Sequence, residues 1–155
     1  MKILILSDAH RADYNTIQAI EREPEAEVVY FLGDGVTNVK ELSLNYCDKK
    51  AFILIKGNCD LYADFPEFDV RAFEGVKIYA CHGHKERVKY GYGGLIQKLY
   101  GNKCTIGLFG HTHEQYEEYD NGIYIFNPGS IRDGNYGVLD IKNGNILFTK
   151  KKLIY

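Results

Sequence analysis

The chain has 155 residues, 45% of them hydrophobic, a length that fits one domain over 1–155 with roughly two-thirds of the unfolded surface buried and no need of disulfides. A formal net charge of −2 supplies no basic field and argues against general nucleic-acid binding, while the apolar run Ile3 to Leu6 is far too short for a signal peptide or a membrane span. Cys47, Cys59, Cys81 and Cys104 are widely spaced without a C-x-x-C pair, which reads as reduced thiols in a cytoplasmic protein.

In chain order, Lys2 to Leu6 predicts a buried strand delivering Ser7-Asp8 at its carboxyl end. A helix follows, with Asp13 as N-cap, Ile17 and Ile20 on one face and Pro24 as its stop. The pattern then repeats. Val28 to Leu32 reads as a strand ending in Gly33-Asp34-Gly35, Val39 to Tyr46 as a weak helix, and Ala51 to Ile55 as a strand ending in Gly57-Asn58-Cys59-Asp60. Strands alternating with helices imply parallel βαβ units.

Val70 to Phe73 and Val76 to Ala80 predict a hairpin through Glu74-Gly75, followed by Cys81-His82-Gly83-His84. A helix is expected from Leu95 to Tyr100, and a strand over Cys104 to Phe109 runs into Gly110-His111-Thr112-His113. Asp120-Asn121-Gly122 and Asn143-Gly144 mark turns between alternating strands, Asn127-Pro128-Gly129-Ser130 reads as a turn of its own, and Lys150-Lys151-Lys152 reads as a solvated strand edge. The expectation is α/β: two sheets, partly parallel and partly antiparallel, with helices outside.

All five histidines follow an apolar run directly or within a few residues, beside Asp8, Asp34 and Asn58. Singly, each has an ordinary reading: a capping or turn aspartate, a loop asparagine, surface histidines. Together they form a mixed oxygen and nitrogen set suited to Mn, Fe, Co, Ni or Zn. Asp8, His10, Asp34, Asn58, His82, His111 and His113 are too many donors for one ion with open positions and suit two sharing a carboxylate.

In their order, D-x-H, G-D, G-N, H-G-H and G-H-T-H resemble the calcineurin-like metallophosphoesterase superfamily over nearly the whole chain. The short length, Gly57-Asn58-Cys59-Asp60 and Asn127-Pro128-Gly129-Ser130 resemble the small archaeal and bacterial phosphodiesterases of the YfcE type. The resemblance implies a two-sheet β-sandwich flanked by helices (an α-β-β-α arrangement). It also implies Asp8, His10, Asp34 and His113 on one metal and Asp34, Asn58, His82 and His111 on the other, with Asp34 bridging. Activity would then be hydrolysis of phosphate esters by a hydroxide bridging the two ions, manganese being the first choice of metal.

One departure concerns Cys59, which stands where many members carry histidine to assist the leaving group; a neutral thiol is a weak donor, so activity would favour good leaving groups unless His10 or His84 compensates. Cys59 has none of the loop of a cysteine-based phosphatase, and Asp60 reads either as an orienting residue or as a plain turn residue. Arg11, Arg132 and the stretch Lys85 to Tyr92 are candidates for holding a small phosphate ester, nucleotides included, with Tyr90 and Tyr92 read either as base-stacking or as structural. Variants of the enzymatic reading are a phosphomonoesterase and a dinucleotide-polyphosphate hydrolase. The other class is a scaffold like the retromer subunit of the superfamily, and 13 Tyr and 8 Phe leave room for a homo-oligomeric surface.

Overall fold

The computed structural model describes residues 1–155. Strands β1 (Lys2–Leu6), β2 (Val28–Phe31) and β3 (Ala51–Leu54) run parallel, joined through helices α1 (Asp13–Arg22) and α2 (Val36–Ser43). Strands β9 (Asn135–Lys142) and β10 (Asn145–Lys152) add antiparallel to β1, giving the sheet order β10-β9-β1-β2-β3. The second sheet has the order β4-β5-β6-β8-β7, from β4 (Phe68–Phe73), β5 (Val76–Cys81), β6 (Ile106–Leu108), β7 (Gln115–Asp120) and β8 (Ile123–Pro128). Here β5, β6 and β8 are parallel, α3 (Gly93–Asn102) carries the crossover, and β4 and β7 are antiparallel edges.

Layering explains the apolar runs. In β1, Ile3 and Ile5 enter a cluster between the sheets with Tyr30, Ile78, Leu108, Phe126 and Leu139, whereas Leu4 and Leu6 face α1 and α2 with Ile20, Val29 and Val39. Both faces of the strand are covered, so its sequence does not alternate. A third cluster packs α3, through Leu95 and Leu99, on Tyr79 and Ile125 of the second sheet. No helix is long and apolar enough to cross a membrane.

The structure corrects several local expectations. Asp13 is not the N-cap of α1: Ala12 occupies that position without a side-chain bond, and Asp13 lies in the first turn, where its charge suits the helix dipole. Helix α2 starts at Val36, three residues before the expected Val39, because the Asp60 carboxylate, from the loop after β3, accepts the N–H groups of Gly35 (2.9 Å) and Val36 (3.2 Å). A cap supplied from a distant loop leaves no local sequence signal. α3 begins at Gly93, β6 is trimmed to Ile106–Leu108, and Asn127-Pro128 completes β8 instead of forming a separate turn. Lys151 is not simply solvated but pairs with buried Glu23 at 2.5 Å.

The end of α1 is held by Lys50, itself buried, whose Nζ donates to the carbonyls of Glu23 (2.8 Å), Pro24 (3.1 Å) and Ala26 (2.7 Å). Lys50→Met keeps the aliphatic volume and leaves these acceptors unpaired, so it should destabilise the fold by about 2 kcal/mol and lower Tm by about 6 °C. Thermal unfolding of the metal-free chain reads this directly, and an unchanged Tm would mean the three carbonyls find equivalent partners without the lysine.

Candidate metal centre

The polar segments lie in loops after the carboxyl ends of β1, β2, β3, β5 and β6, and the two sheets bring these loops together. The carboxylates share one pattern. One Asp8 oxygen accepts Ser7 Oγ (2.7 Å) and the His111 N–H (3.1 Å), while the other, Oδ1, is buried with no hydrogen-bond partner and lies 3.2 Å from His113 Nε2 and 3.9 Å from the Nε2 atoms of His10 and His82. One Asp34 oxygen accepts the Cys59 N–H (2.8 Å), and the other faces His82 Nε2 (3.4 Å) and His10 Nε2 (3.8 Å). Each acid is thus tethered through one atom and presents the other to imidazoles.

His82 sharpens the need for a cation. Its Nδ1 lies 2.7 Å from the Leu32 carbonyl and must donate there, leaving Nε2 opposite Asn58 Oδ1 (3.0 Å) and the Asp34 carboxylate, which can only accept. A lone pair facing acceptors is repulsive unless Nε2 carries a proton or a cation lies between them. Burial disfavours a charged His82, but Asp34 and Asp8 outweigh it and push its pKa up; Asp34, against the same cost of burial, is held well below the usual carboxylate range by His82 and the Cys59 N–H. Burial and the neighbouring His82 lower His111 to about 4 and also depress His84, so both rings are neutral at pH 7, the state a metal requires of imidazole.

Donor atoms lie within 4.8 Å of one another in three groups: Asp8, His10 and His113; Asp8, Asp34 and His82; and His10, Asp34 and Cys59. His111 stands outside these groups, its ring centroid 5.0 Å from that of His82, and the His84 ring lies 5.4 Å from His82. Hard carboxylates, a carboxamide oxygen and neutral imidazoles, with a buried oxygen lacking a partner, fit divalent first-row ions.

The backbone is bent to make this arrangement. Asp8, His10, Asp34, His111 and His113 all have positive φ, between 42° and 69°, a region that costs non-glycine residues and gathers at functional sites. The adjoining glycines leave the necessary space: a Cβ on Gly57 would sit 2.1 Å from Asp34 Oδ1, and one on Gly110 would sit 2.0 Å from Ser7 Oγ.

Asp60 accepts four backbone N–H groups, from Asp34 (2.7 Å), Gly35, Val36 and Gly57 (2.8 Å), which ties the loop after β2 to the loop after β3. That geometry positions Asp34 and leaves Asp60 little capacity to act on substrate. Cys59 is exposed, and burial followed by the Asp34 charge pushes its thiol pKa up, which disfavours a nucleophilic thiolate. Arg11 and Arg132 are exposed, and Tyr90 is 85% exposed. Tyr92, half-buried, packs on Tyr116 (4.7 Å) and Phe109 (5.3 Å), contacts that support its structural reading. Sequence reasoning missed the supports: fully buried Ser130, whose Oγ bonds the Asp8 carbonyl (2.8 Å), and fully buried Asn127, whose amide bonds the Gly110 carbonyl (3.0 Å) and Thr112 Oγ1 (2.9 Å). The signal in the sequence was the Asn127-Pro128-Gly129-Ser130 motif, read there as a turn and as part of the family resemblance and not as a support of the site.

Residues 1–144 match the model of the calcineurin-like phosphoesterase superfamily domain, and the chain belongs to that family. It is 29% identical over 149 residues to the probable metallophosphoesterase YsnB of Bacillus subtilis, covering 92% of this chain and 86% of the relative. It is 27% identical over 168 residues to the phosphodiesterase YfcE of Escherichia coli, covering 90% and 88%. Among solved structures, a protein of Streptococcus pneumoniae described as a predicted phosphoesterase superposes with a TM-score of 0.83 at 23% identity, covering 97% of this chain and 88% of that one. Vps29 of Entamoeba histolytica complexed with zinc superposes with a TM-score of 0.70 at 19% identity, over 98% and 99%. Both likenesses are of fold.

Gly57→Ala tests the close approach of the loops. With its Cβ driven against Asp34, the variant should keep its far-UV circular dichroism and lose about 10- to 100-fold in affinity for an added divalent ion by calorimetry, the range that supporting residues contribute. Unchanged affinity would mean that the Asp34 carboxylate can retreat without consequence.

Proposed function

We propose that this chain, acting as one domain over 1–155, is a metal-dependent phosphoric ester hydrolase that prefers phosphodiesters. The observation that carries the reading is the pair of buried carboxylates, each tethered through one oxygen and each offering the other to a ring of histidines. Asp8, His10, Asp34 and His113 would hold one divalent ion and Asp34, Asn58, His82 and His111 a second, with Asp34 shared; manganese is the first choice, and Ni, Fe, Co and Zn also suit the donors. Two such ions supply a water-derived nucleophile near neutral pH and neutralise charge on the phosphoryl oxygens.

The protein's own groups do the rest. Ser7, the Cys59 N–H and Asp60 hold the donors in place before substrate arrives, so little reorganisation remains at the reacting centre. A groove of about 510 Å³ leads away from His10 and Cys59 between Arg11, Asn38 and Tyr62, and it would receive the organic group of the ester, a nucleoside among the candidates. Arg11 has no ion-pair partner at this mouth and is suited to a second anionic group. His84 lies beside His82, and a ring N–H of it would offer a hydrogen bond to the leaving group that Cys59 serves poorly. The four free cysteines suit a cytoplasmic location.

A scaffold reading draws on the Vps29 likeness, and because that Vps29 is complexed with zinc, the unpartnered buried Asp8 oxygen calls for a cation under either reading and activity must separate them. Turnover of bis(p-nitrophenyl) phosphate against p-nitrophenyl phosphate by the manganese-loaded chain decides between the two. Diester hydrolysis should dominate and fall at least about 100-fold in Asp34→Asn. Undiminished turnover in that variant would remove the shared ligand, and an inactive wild type across the five metals would favour the scaffold.

Cys59→His tests the leaving-group argument separately. Restoring an imidazole should raise the rate for diesters with poor leaving groups by roughly 10²-fold, the lower end of general acid catalysis, and change activated nitrophenyl diesters less. Equal gains on both would show that the side chain acts elsewhere than on the departing oxygen.

A further inference from the structure

We propose that Cys59 Sγ is a ligand to the ion held by His10 and Asp34, so that this position takes thiophilic divalent ions, zinc and cadmium, in a sulfur-bound state that manganese does not form. The inference rests on the two-ion reading and adds to it a donor from outside the seven residues.

Three observations carry it. The donor atoms of His10, Asp34 and Cys59 lie within 4.8 Å of one another. His10 Nε2 is buried without a hydrogen-bond partner, 3.8 Å from Asp34 and 3.9 Å from Asp8, so it is open to an ion that Asp8, Asp34 and Cys59 would share. The Cys59 main chain is fastened there by its own N–H on Asp34 Oδ1 (2.8 Å), the thiol lies against the same carboxylate, and its hydrogen bond from Asn58 Nδ2 is long at 3.6 Å. Zinc bonds to sulfur and nitrogen place two donors at most about 4.4 Å apart, so an exposed side chain rotating a few tenths of an ångström completes the contact.

Ligand softness sets the selectivity. Thiolate favours zinc and cadmium, whereas manganese prefers the carboxylates and carbonyl oxygens already present. As the sulfur–metal bond forms, the thiol proton passes to water. Sulfur then takes a coordination position that a catalytic ion keeps open, so the zinc and cadmium forms should turn over phosphodiesters more slowly than the manganese form.

Cysteine accessibility reads this without activity. The full chain, stripped by chelator and reloaded with two equivalents of manganese, zinc or cadmium, is alkylated under native conditions and its peptides are quantified by mass spectrometry. Cys47, also exposed, serves as the internal control, and Cys81 and Cys104 are buried. Cys59 should be modified at least about tenfold more slowly with zinc or cadmium than with manganese, while Cys47 is unaffected. The cadmium form should also show an ultraviolet thiolate-to-metal charge-transfer band that Cys59→Ser loses. Equal Cys59 rates in all three forms, or a band that survives in Cys59→Ser, would overturn the proposal. If two ions per chain still bind in that case, the two-ion reading stands without it; a wild type that binds none would remove both.

Discussion

The site depends on burying two negative charges that its own groups offset only in part. Asp8 is fully buried and Asp34 nearly so, and an unpaired buried carboxylate is costly enough that proteins ordinarily protonate or pair it. Here each is met halfway: backbone N–H groups and a hydroxyl satisfy one oxygen, and the other is left for something cationic. The surrounding histidines respond in opposite senses, His82 raised by the acids and His111 lowered by burial and by His82. One cluster thus contains both the attraction that draws a cation in and the neutral nitrogens that bind it.

Such an arrangement costs backbone energy, and the fold meets that cost with packing. Five donors in left-handed conformation, at about 1 kcal/mol or more apiece, would unravel isolated loops. They persist because the strands that deliver them are buried on both faces and because Asp60, Ser130 and Asn127 fasten the loops to one another. Most of these fastenings end on backbone groups, so the precision of the site comes from main-chain geometry more than from side-chain contacts.

Much of this was legible in the sequence because it was written locally. Strand runs, Asn-Gly turns and the placement of every histidine after an apolar run gave the α/β class and the convergent donors. What stayed hidden acts at long range. The start of α2 is set by Asp60, more than twenty residues downstream. The tie from Ser130 to Asp8 spans over a hundred residues. The structural role of Tyr92 needs Tyr116, on a strand of the second sheet. Periodicity and turn chemistry carry no term for such partners.

The four amides gathered by Asp60 have one more implication. They join the crossover loop after β2 to the loop that carries the chain from β3 into the second sheet, and they involve none of the proposed donor side chains, so the receptacle's shape is set by the polypeptide itself. An ion held there would then exchange for another without any refolding of the polypeptide, and supply in the surroundings would decide which one is resident.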